Sequence, residues 1–355
     1  MYARRLALAV ALVAGAGALA ATADTRWRDV LDTPARHSSL ASRGILNGLA
    51  RAGDRLVAVG QRGHILYSDD AGKSWLQAEV PVSSDLVAVS FPDATHGWAV
   101  GHDGVVLHSA DAGRTWTRQL DGRTLGAALV DFYSHASARI DAKRGDKLLE
   151  EAKRLGAQGA ENPLLDVWFR DAQNGLVVGA FGLALRTRDG GKTWQPLMHV
   201  LDNPKGLHLY SVRGIGDALY VVGEQGTAFR LDREAETSTT LELPYKGTLF
   251  GIVGDERWLI AYGLRGTVLR STDAGRSWQQ VQTGLQVGLT SGTRDTRGRF
   301  VLASQAGHVL VGADGGASFA PLSAERTLPA AAVAEATPGV LVVAGPRGVR
   351  SLSMP

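Results

Sequence analysis

The sequence predicts an all-β fold of seven similar units, each a four-stranded antiparallel sheet. One phrase, two apolar residues followed by Gly-x-x-Gly and a short apolar run, recurs along the chain, and 44 of the 355 residues are glycine. Five clear copies and two weaker ones begin at Gly60, Gly101, Gly179, Gly223, Gly263, Ser304 and Gly345. Their spacings are 41, 78, 44, 40, 41 and 41 residues. Four strands in a period near 41 fit one blade of a β-propeller.

Each copy contains segments of strand length and strand spacing. In the second copy these are Leu86 to Phe91, Gly97 to Val100 and Val105 to His108, with the Gly-x-x-Gly turn between the last two. We expect the glycines to supply the positive φ that a tight hairpin needs, which accounts for their number.

A second motif, Ser/Thr-x-Asp-x-Gly-x-x-Trp, follows the third strand in four copies, and a degenerate fifth ends in Phe319. The Asp is expected to accept hydrogen bonds within its own turn, and the Trp to open the fourth strand as a buried residue between blades. The four motifs are Ser68-Asp70-Gly72-Trp75, Ser109-Asp111-Gly113-Trp116, Thr187-Asp189-Gly191-Trp194 and Ser271-Asp273-Gly275-Trp278.

The two ends of the chain suggest how the ring closes. The seventh copy stops near Leu352 with neither the Asp motif nor a fourth strand, and Arg26 to Val30 resembles the fourth-strand openings elsewhere. We therefore predict that residues 24–43 form the closing outer strand of blade 7, with Trp27 in the place of the motif tryptophan. Residues 24–355 would then form a single propeller domain.

The spacing of 78 leaves surplus residues between blades 2 and 3, at 124–162. They lose strand alternation and predict helices from Ala127 to Ala138 and from Asp146 to Leu155, with Gly156 as a stop. A connection between blades lies on the same face as the Gly-x-x-Gly turns, so this helical insertion should overhang that face. The alternative is an inert surface loop.

The N-terminus predicts export. Arg4 and Arg5 precede an apolar run from Leu6 to Ala20, and Ala21-Thr22-Ala23 provides small residues for cleavage. A membrane anchor is the alternative, but this run is shorter than the roughly 20 residues that span a bilayer. We expect residues 1–23 to be a cleaved signal peptide and the mature protein, from about Asp24, to be periplasmic.

Composition excludes several classes of protein. The chain has no cysteine, which excludes a disulfide framework, a thiolate nucleophile, a cysteine metal site and the lipid-modified cysteine of a lipoprotein. Without Arg4 and Arg5, 36 basic residues stand against 35 acidic ones. This balance gives no support to a nucleic-acid partner.

The Asp motif resembles the Asp-box, or BNR repeat, of sialidase-type propellers. The mature chain as a whole is similar to the seven-bladed BNR-type family of photosystem II assembly and stability factors, which has many non-photosynthetic relatives. The repeated AVG-x-x-G phrases and the stretch Asn162 to Phe169 carry the resemblance. It implies a non-enzymatic scaffold, monomeric when free, that docks on a membrane-protein complex, with an RND-type exporter as one candidate client. It implies no cofactor and no small-molecule substrate.

Catalytic and metal sites were weighed against this interpretation. The arginine triad and the Tyr–Glu pair of sialidases are not recognisable. A periplasmic glycoside hydrolase is nevertheless the rival function, with Asp103 and Glu224 as candidate acids. His64, His102 and His308 lie in or beside the turns and are interpreted as single imidazoles, not metal ligands.

Three arginines precede the second glycine of the repeated turn, Arg62, Arg265 and Arg347, and predict an anion or acidic-peptide docking rim. The alternative is chance use of a polar residue at a solvated turn, since other copies carry Asp103, Phe181, Gln225 and Ala306 there. The predicted client-binding residues are this rim together with apolar residues of the helical insertion, namely Phe132, Tyr133, Leu148, Leu149 and Trp168.

Overall fold

The computed structural model describes residues 28–135, 140–323 and 328–354, and these form a ring of seven antiparallel sheets. Six sheets have four strands and the seventh has three within the described residues. In every sheet, strands adjacent in sequence are hydrogen-bonded neighbours. The predicted seven-bladed β-propeller is therefore confirmed.

The first strand of each blade lies at the inner edge of the ring and the last strand at the outer edge. The strands of blades 1 to 3 are β1 Leu46–Ala52, β2 Arg55–Gly60, β3 Ile65–Ser68, β4 Leu76–Gln77; β5 Leu86–Ser90, β6 Gly97–Gly101, β7 Val106–Ser109, β8 Thr117–Leu120; β9 Leu164–Phe169, β10 Gly175–Gly179, β11 Ala184–Thr187 and β12 Gln195–Pro196.

The remaining blades repeat this pattern. Their strands are β13 Leu209–Ile215, β14 Ala218–Gly223, β15 Ala228–Asp232, β16 Ser238–Thr240; β17 Leu249–Gly254, β18 Leu259–Gly263, β19 Val268–Ser271, β20 Gln279–Val281; β21 Leu289–Arg294, β22 Phe300–Ser304, β23 Val309–Ala313, β24 Ser318–Pro321; β25 Ala332–Thr337, β26 Val340–Gly345 and β27 Gly348–Ser353.

The core lies between neighbouring blades, because the second strands are buried on both faces. All residues of β2, β6, β10 and β14 are buried. Trp98 of β6 stacks on Phe169 of β9 with ring centroids 3.6 Å apart. With no disulfide available, such contacts between blades hold the ring together.

The Gly-x-x-Gly turns join the second and third strands, and their two glycines have different roles. The first is extended: a Cβ atom at Gly60 would lie 2.1 Å from the Ile45 carbonyl oxygen. Only the second, such as Gly63 at φ 70°, needs the left-handed region. The expectation that both glycines supply positive φ was thus wrong for the first, which is required by close backbone approach.

The four Asp motifs form the expected turns. In the first, the Ser74 amide and hydroxyl donate to the two carboxylate oxygens of Asp70 at 2.9 and 2.6 Å. These bonds, with one from Ser68, lower the pKa of Asp70 to about 2. Trp116 and Trp278 are buried as predicted, whereas Trp75 and Trp194 are only partly buried.

Ring closure differs from the predicted closing strand. Arg26 and Trp27 lie outside the described residues, and residues 28–43 contain two 3-10 turns, Val30–Asp32 and Ala41–Arg43, instead of a strand. This segment, here called the N-terminal strap, hydrogen-bonds to the connection between blades 1 and 2, with the Ala35 amide donating to the Val80 carbonyl at 3.0 Å. Blade 7 meets blade 1 through packing of β25 and β26 against β1.

The helical insertion is present between β8 and β9, and both helices begin earlier than predicted; the predicted end of the first helix, Ala138, lies outside the described residues. α1 spans Gly122–His135 and α2 spans Ala142–Gln158. The predicted stop at Gly156 was wrong, since α2 continues to Gln158. The glycine instead lets α1 pass close to α2. A Cβ atom at Gly126 would lie 2.3 Å from the Gly156 Cα. We call α1 and α2 the helical arm.

Within the described ranges, neither helix is long and apolar enough to cross a membrane.

Candidate functional site

One face of the ring, the top face, carries the Gly-x-x-Gly turns, the connections between blades and the helical arm. Each turn packs against the connection that enters the next blade; a Cβ atom at Gly63 would lie 2.1 Å from the Val82 carbonyl oxygen. The arm begins at the turn of blade 2, where a Cβ atom at Gly104 would lie 3.0 Å from the Gly122 amide nitrogen. The Asp motifs lie on the opposite, bottom face.

The helical arm is fixed onto blade 3. Tyr133 is only 2% exposed, and its hydroxyl donates to the Met198 sulfur at 3.8 Å. Burial raises the pKa of Tyr133 above its usual range. Arg144 donates to the Leu201 carbonyl at 2.7 Å and Lys147 to the Pro204 carbonyl at 2.8 Å. Because both carbonyls belong to the connection between blades 3 and 4, these bonds hold α2 beside that connection.

Between α2 and this connection lies a cavity of about 580 Å³, here called the arm groove. Its apolar lining comes from Leu148, Leu155, Phe181, Met198 and Leu201. Its charged lining has five cations and three acids, which gives a positive excess: Lys143, Arg144, Lys147, Arg154 and Lys205 against Asp141, Glu151 and Asp202.

The predicted apolar client-binding residues are placed differently from expectation. Phe132, Leu148 and Leu149 are partly buried and pack against the core under blade 3. Trp168 is not part of the arm: it lies near the far end of β9, where a Cβ atom at Gly214 would meet its ring at 2.1 Å. The residues of the arm are half-buried because an amphipathic helix uses its apolar face to dock onto the propeller first.

The three rim arginines are exposed on the top face, and within the described residues none of their guanidinium groups forms a salt bridge. Arg62 and Arg347 do not meet directly. The chain from Ser42 to Ile45 passes between their turns, since the Ser42 carbonyl approaches Gly348 and the Ile45 carbonyl approaches Gly60. Arg43, exposed on this segment, adds a fourth cation that the repeat pattern did not indicate.

The N-terminal strap is tied to the arm by charge. Arg123 of α1 donates to both carboxylate oxygens of Asp32 at 2.8 and 3.0 Å and to Asp121 at 3.1 Å. Arg118 donates to the Leu31 carbonyl oxygen. The hydrogen bond from Arg123 holds the pKa of Asp32 below its usual range. The strap and the base of the arm are therefore one connected unit.

The candidate acids and histidines form no common centre. Asp103 and Glu224 lie in turns of blades 2 and 4, with blade 3 between them, and a Glu224 oxygen accepts the His208 amide at 2.9 Å. His64 is buried and burial lowers its pKa, whereas His102 is exposed. Among the described residues, no group of three His, Asp or Glu side chains is arranged to hold a metal ion.

Reasoning from the sequence missed Phe181 and the connection it faces. Phe181 occupies the position that holds Arg62 and Arg265 in other turns, at φ 54°, and remains 42% exposed. The connection between blades 3 and 4, residues 197–208, has twelve residues, against eight at 78–85 and 241–248. The one available signal was the spacing of 44 between the third and fourth copies.

Comparison with known proteins agrees with this architecture. The sequence pattern of the family described as "Photosynthesis system II assembly factor YCF48" matches residues 68–134 and 153–321. The chain belongs to this family. A curated relative, the photosystem II assembly lipoprotein Ycf48 of Synechococcus sp. (strain CC9902), is 26% identical over 160 residues, 44% of this chain and 47% of the relative. The match thus spans about half the length of that relative.

Two solved YCF48 structures share the fold. The one described as "YCF48 bound to D1 peptide" has a TM-score of 0.62 at 16% identity, covering 88% of this chain and 94% of its own. YCF48 from Cyanidioschyzon merolae has a TM-score of 0.63 at 15% identity, covering 91% of this chain and 98% of its own. At such identities the likeness concerns the fold alone.

Proposed function

We propose that this protein is an exported, non-enzymatic assembly factor that binds a segment of an envelope membrane-protein complex with its top face. Membership of the YCF48 assembly-factor family supports the general role. A solved relative is described as bound to a D1 peptide, which supports a peptide segment of a membrane protein as the class of client.

The observation that carries the proposal is the contrast between the two faces of the ring. The bottom face repeats one Asp-motif turn in four blades, and these turns satisfy their own polar groups. The top face carries three segments that depart from the repeat: the helical arm, the longer connection at 197–208 and the N-terminal strap. Recognition elements concentrate on loops that a rigid scaffold holds in place, so the top face is the binding face.

The chemistry of the top face suits a segment with acidic and apolar residues. Arg62, Arg265 and Arg347 are exposed and available to orient an acidic partner, and such charges act mainly on association rate and orientation. Exposed Leu264, beside Arg265, and exposed Phe181 offer apolar contact on the same face. Apolar contacts in a desolvated patch supply most of the binding free energy.

Export and periplasmic location rest on the sequence of residues 1–23, which has the pattern of a cleavable signal peptide. Since the chain has no cysteine to carry a lipid, its association with the membrane would come through the client. An RND-type exporter is the candidate client that the family resemblance suggests for a non-photosynthetic host.

A glycoside hydrolase would need two carboxylates about 5 to 10 Å apart across a cleft. Asp103 and Glu224, the candidates for that role, lie in turns of blades 2 and 4, and Glu224 already accepts a backbone amide. This arrangement favours the scaffold over the hydrolase.

The test is affinity purification of the protein from membranes of its native host after chemical cross-linking, with mass spectrometry of the captured proteins. Two variants remove the proposed contacts: a triple Arg→Ala variant of the rim, and a deletion of the arm that joins Gly122 to Pro163. A triple variant of exposed bottom-face cations, Lys73→Ala, Arg114→Ala and Arg276→Ala, is the matched control.

We expect one membrane complex to be captured by the wild type and the control and lost from both top-face variants, each of which must first show a native melting curve. Capture that persists in both variants, or that is lost only in the control, would contradict a top-face interface.

A further inference from the structure

The helical arm and the connection at 197–208 are the two clear departures from the 41-residue period, and they meet. The surplus in the spacing of 78 is the arm, and the surplus in the spacing of 44 is the longer connection. Arg144 and Lys147 of α2 bind the carbonyl oxygens of Leu201 and Pro204 in that connection. The arm groove therefore lies between two insertions that the propeller does not need for closure.

The lining of the groove is apolar at its base and cationic at its edge. The floor of this cavity of about 580 Å³ is lined by the partly buried Leu148 and Met198 and by the buried Leu155 and Leu201. Phe181 adds an exposed ring at the end of the floor, with the Arg154 guanidinium 5.3 Å from its centroid. A bulky aromatic residue in the left-handed region and exposed to water is unusual, and it serves no core here.

Most charged groups at the edge are already engaged. Arg154 pairs with Glu151, and Arg144 and Lys147 hold the opposite wall. Lys143 and Lys205 line the same cavity and form no salt bridge within the described residues. Asp141 and Asp202 form no salt bridge there either, so the positive excess of the lining comes from Arg144 and Lys147, whose partners are neutral carbonyls, and it borders an apolar floor.

Resting on the proposed function, we infer that the arm groove binds a short extended peptide of the client, with an apolar side chain on the floor and an acidic group between Lys143 and Lys205. A peptide fits better than an anionic lipid, because Asp141, Glu151 and Asp202 also line the cavity. These carboxylates would repel the negative headgroups of a lipid surface. Charges of both signs in one lining suit the spaced side chains of a peptide.

The test uses a fluorescein-labelled decapeptide in which aspartates alternate with leucine and phenylalanine, and fluorescence anisotropy with the whole mature protein. The same peptide with every aspartate replaced by lysine is the specificity control. Dodecanoate and vesicles containing anionic phosphatidylglycerol are tested as competitors.

Three variants separate the groove from the rest of the top face. Lys143→Glu with Lys205→Glu reverses the free charges, and Lys73→Glu with Lys192→Glu makes the same change on exposed bottom-face lysines. Phe181→Gln removes the ring while keeping a residue that the equivalent turn of blade 4 accepts, since Gln225 has φ 53° there.

We expect saturable binding of the aspartate peptide, weakened at least tenfold by the double groove variant and by Phe181→Gln, unchanged in the bottom-face control, and absent for the lysine peptide. No binding of the aspartate peptide, equal binding by all variants, or full competition by dodecanoate or vesicles would overturn the inference. If the peptide fails while the wild type still captures a membrane complex that the rim variant loses, the proposed function stands and the groove is not its peptide site.

Discussion

Trp116 and Trp194 occupy equivalent positions in two Asp motifs but differ in one hydrogen bond and in burial, since Trp116 is 4% exposed and Trp194 is only partly buried. Each ring lies edge-on to a phenylalanine, Phe91 at 5.9 Å for Trp116 and Phe169 at 6.1 Å for Trp194, with both pairs at 86°. The Trp116 ring N–H donates to the Gly113 carbonyl at 3.0 Å. The buried ring N–H of Trp194 has no hydrogen-bond partner within the described residues.

Comparing each phenylalanine variant with the alanine variant at the same site separates the hydrogen bond from the packing, because the alanine variant reports how much that ring packs. Trp116→Phe loses ring volume and also leaves the Gly113 carbonyl unpaired, which costs about 1 to 3 kcal/mol beyond the packing loss. Trp194→Phe loses similar volume but removes a polar group that was already unsatisfied, which is close to neutral or favourable. We expect Trp116→Phe to lower the free energy of unfolding by about 1 to 2 kcal/mol more than Trp194→Phe does.

Urea unfolding followed by far-ultraviolet circular dichroism gives both values, provided that the dependence of the unfolding free energy on urea is the same in the two variants. The alanine variants serve as the packing reference, with losses of about 3 to 5 kcal/mol expected at the fully buried Trp116. Equal losses in the two phenylalanine variants would show that the hydrogen bond to Gly113 does not distinguish the two motifs, and the reasoning would fail.

Three further predictions concern the Asp motifs, the strap and the arm. The pKa values of Asp70 and Asp273 are about 2 in the folded protein and near 3.9 when unfolded, so their contribution to stability is present above about pH 4 and disappears as pH falls towards 2. The double Asp→Asn variant should therefore melt at a lower temperature than the wild type at pH 7. Calorimetry should also show a smaller drop in its melting temperature between pH 4 and pH 2. Leu31→Ala, at a strap residue 1% exposed, should lower the unfolding free energy by about 2 to 5 kcal/mol, and no change in the denaturation midpoint would mean that the strap does not hold the ring. Gly126→Val should force α1 and α2 apart and raise amide hydrogen exchange throughout the arm but not in the blades. Gly145→Ala is the control: it has open space for the added methyl group and should slow exchange in α2 slightly.

The blades could be predicted because the same turn residues recur at the same position in every repeat. Each of them is needed for the backbone geometry of its own turn. The Asp motifs and the second glycine of each turn could be assigned from their own residues. The first glycine was misinterpreted because its requirement is not local: the obstacle at Gly60 is the Ile45 carbonyl of a neighbouring strand.

The arm and the ends show why the rest could not be predicted. Periodicity indicated helices but placed both of their starts and the end of α2 wrongly, because Gly122 and Gly156 lie at the start of a helix or inside one for packing reasons that appear only in the folded arm. The apolar residues of an amphipathic segment can bind a client or dock the segment itself, and the sequence does not say which. Tyr133, predicted to face a client, is buried against blade 3.

The strap illustrates the same limit. The closing strand was predicted from the resemblance of Arg26 to Val30 to a fourth strand, without regard to the residues that follow. Those residues bind elsewhere: Asp32 accepts from Arg123, and the Leu31 carbonyl accepts from Arg118, at the base of the arm. Ion pairs between segments about 90 residues apart leave no periodic trace in a sequence.

A client that meets the top face beside the arm should touch the edge of the arm groove and leave the bottom face free. A photoreactive amino acid placed at Lys205, at the edge of the arm groove, or at Lys192, on a bottom-face Asp motif, reports contact at each face in intact cells. We expect a cross-link to the same membrane protein from position 205 and none from position 192. A cross-link from position 192 alone, or from neither position while the complex still co-purifies, would contradict this placement of the client.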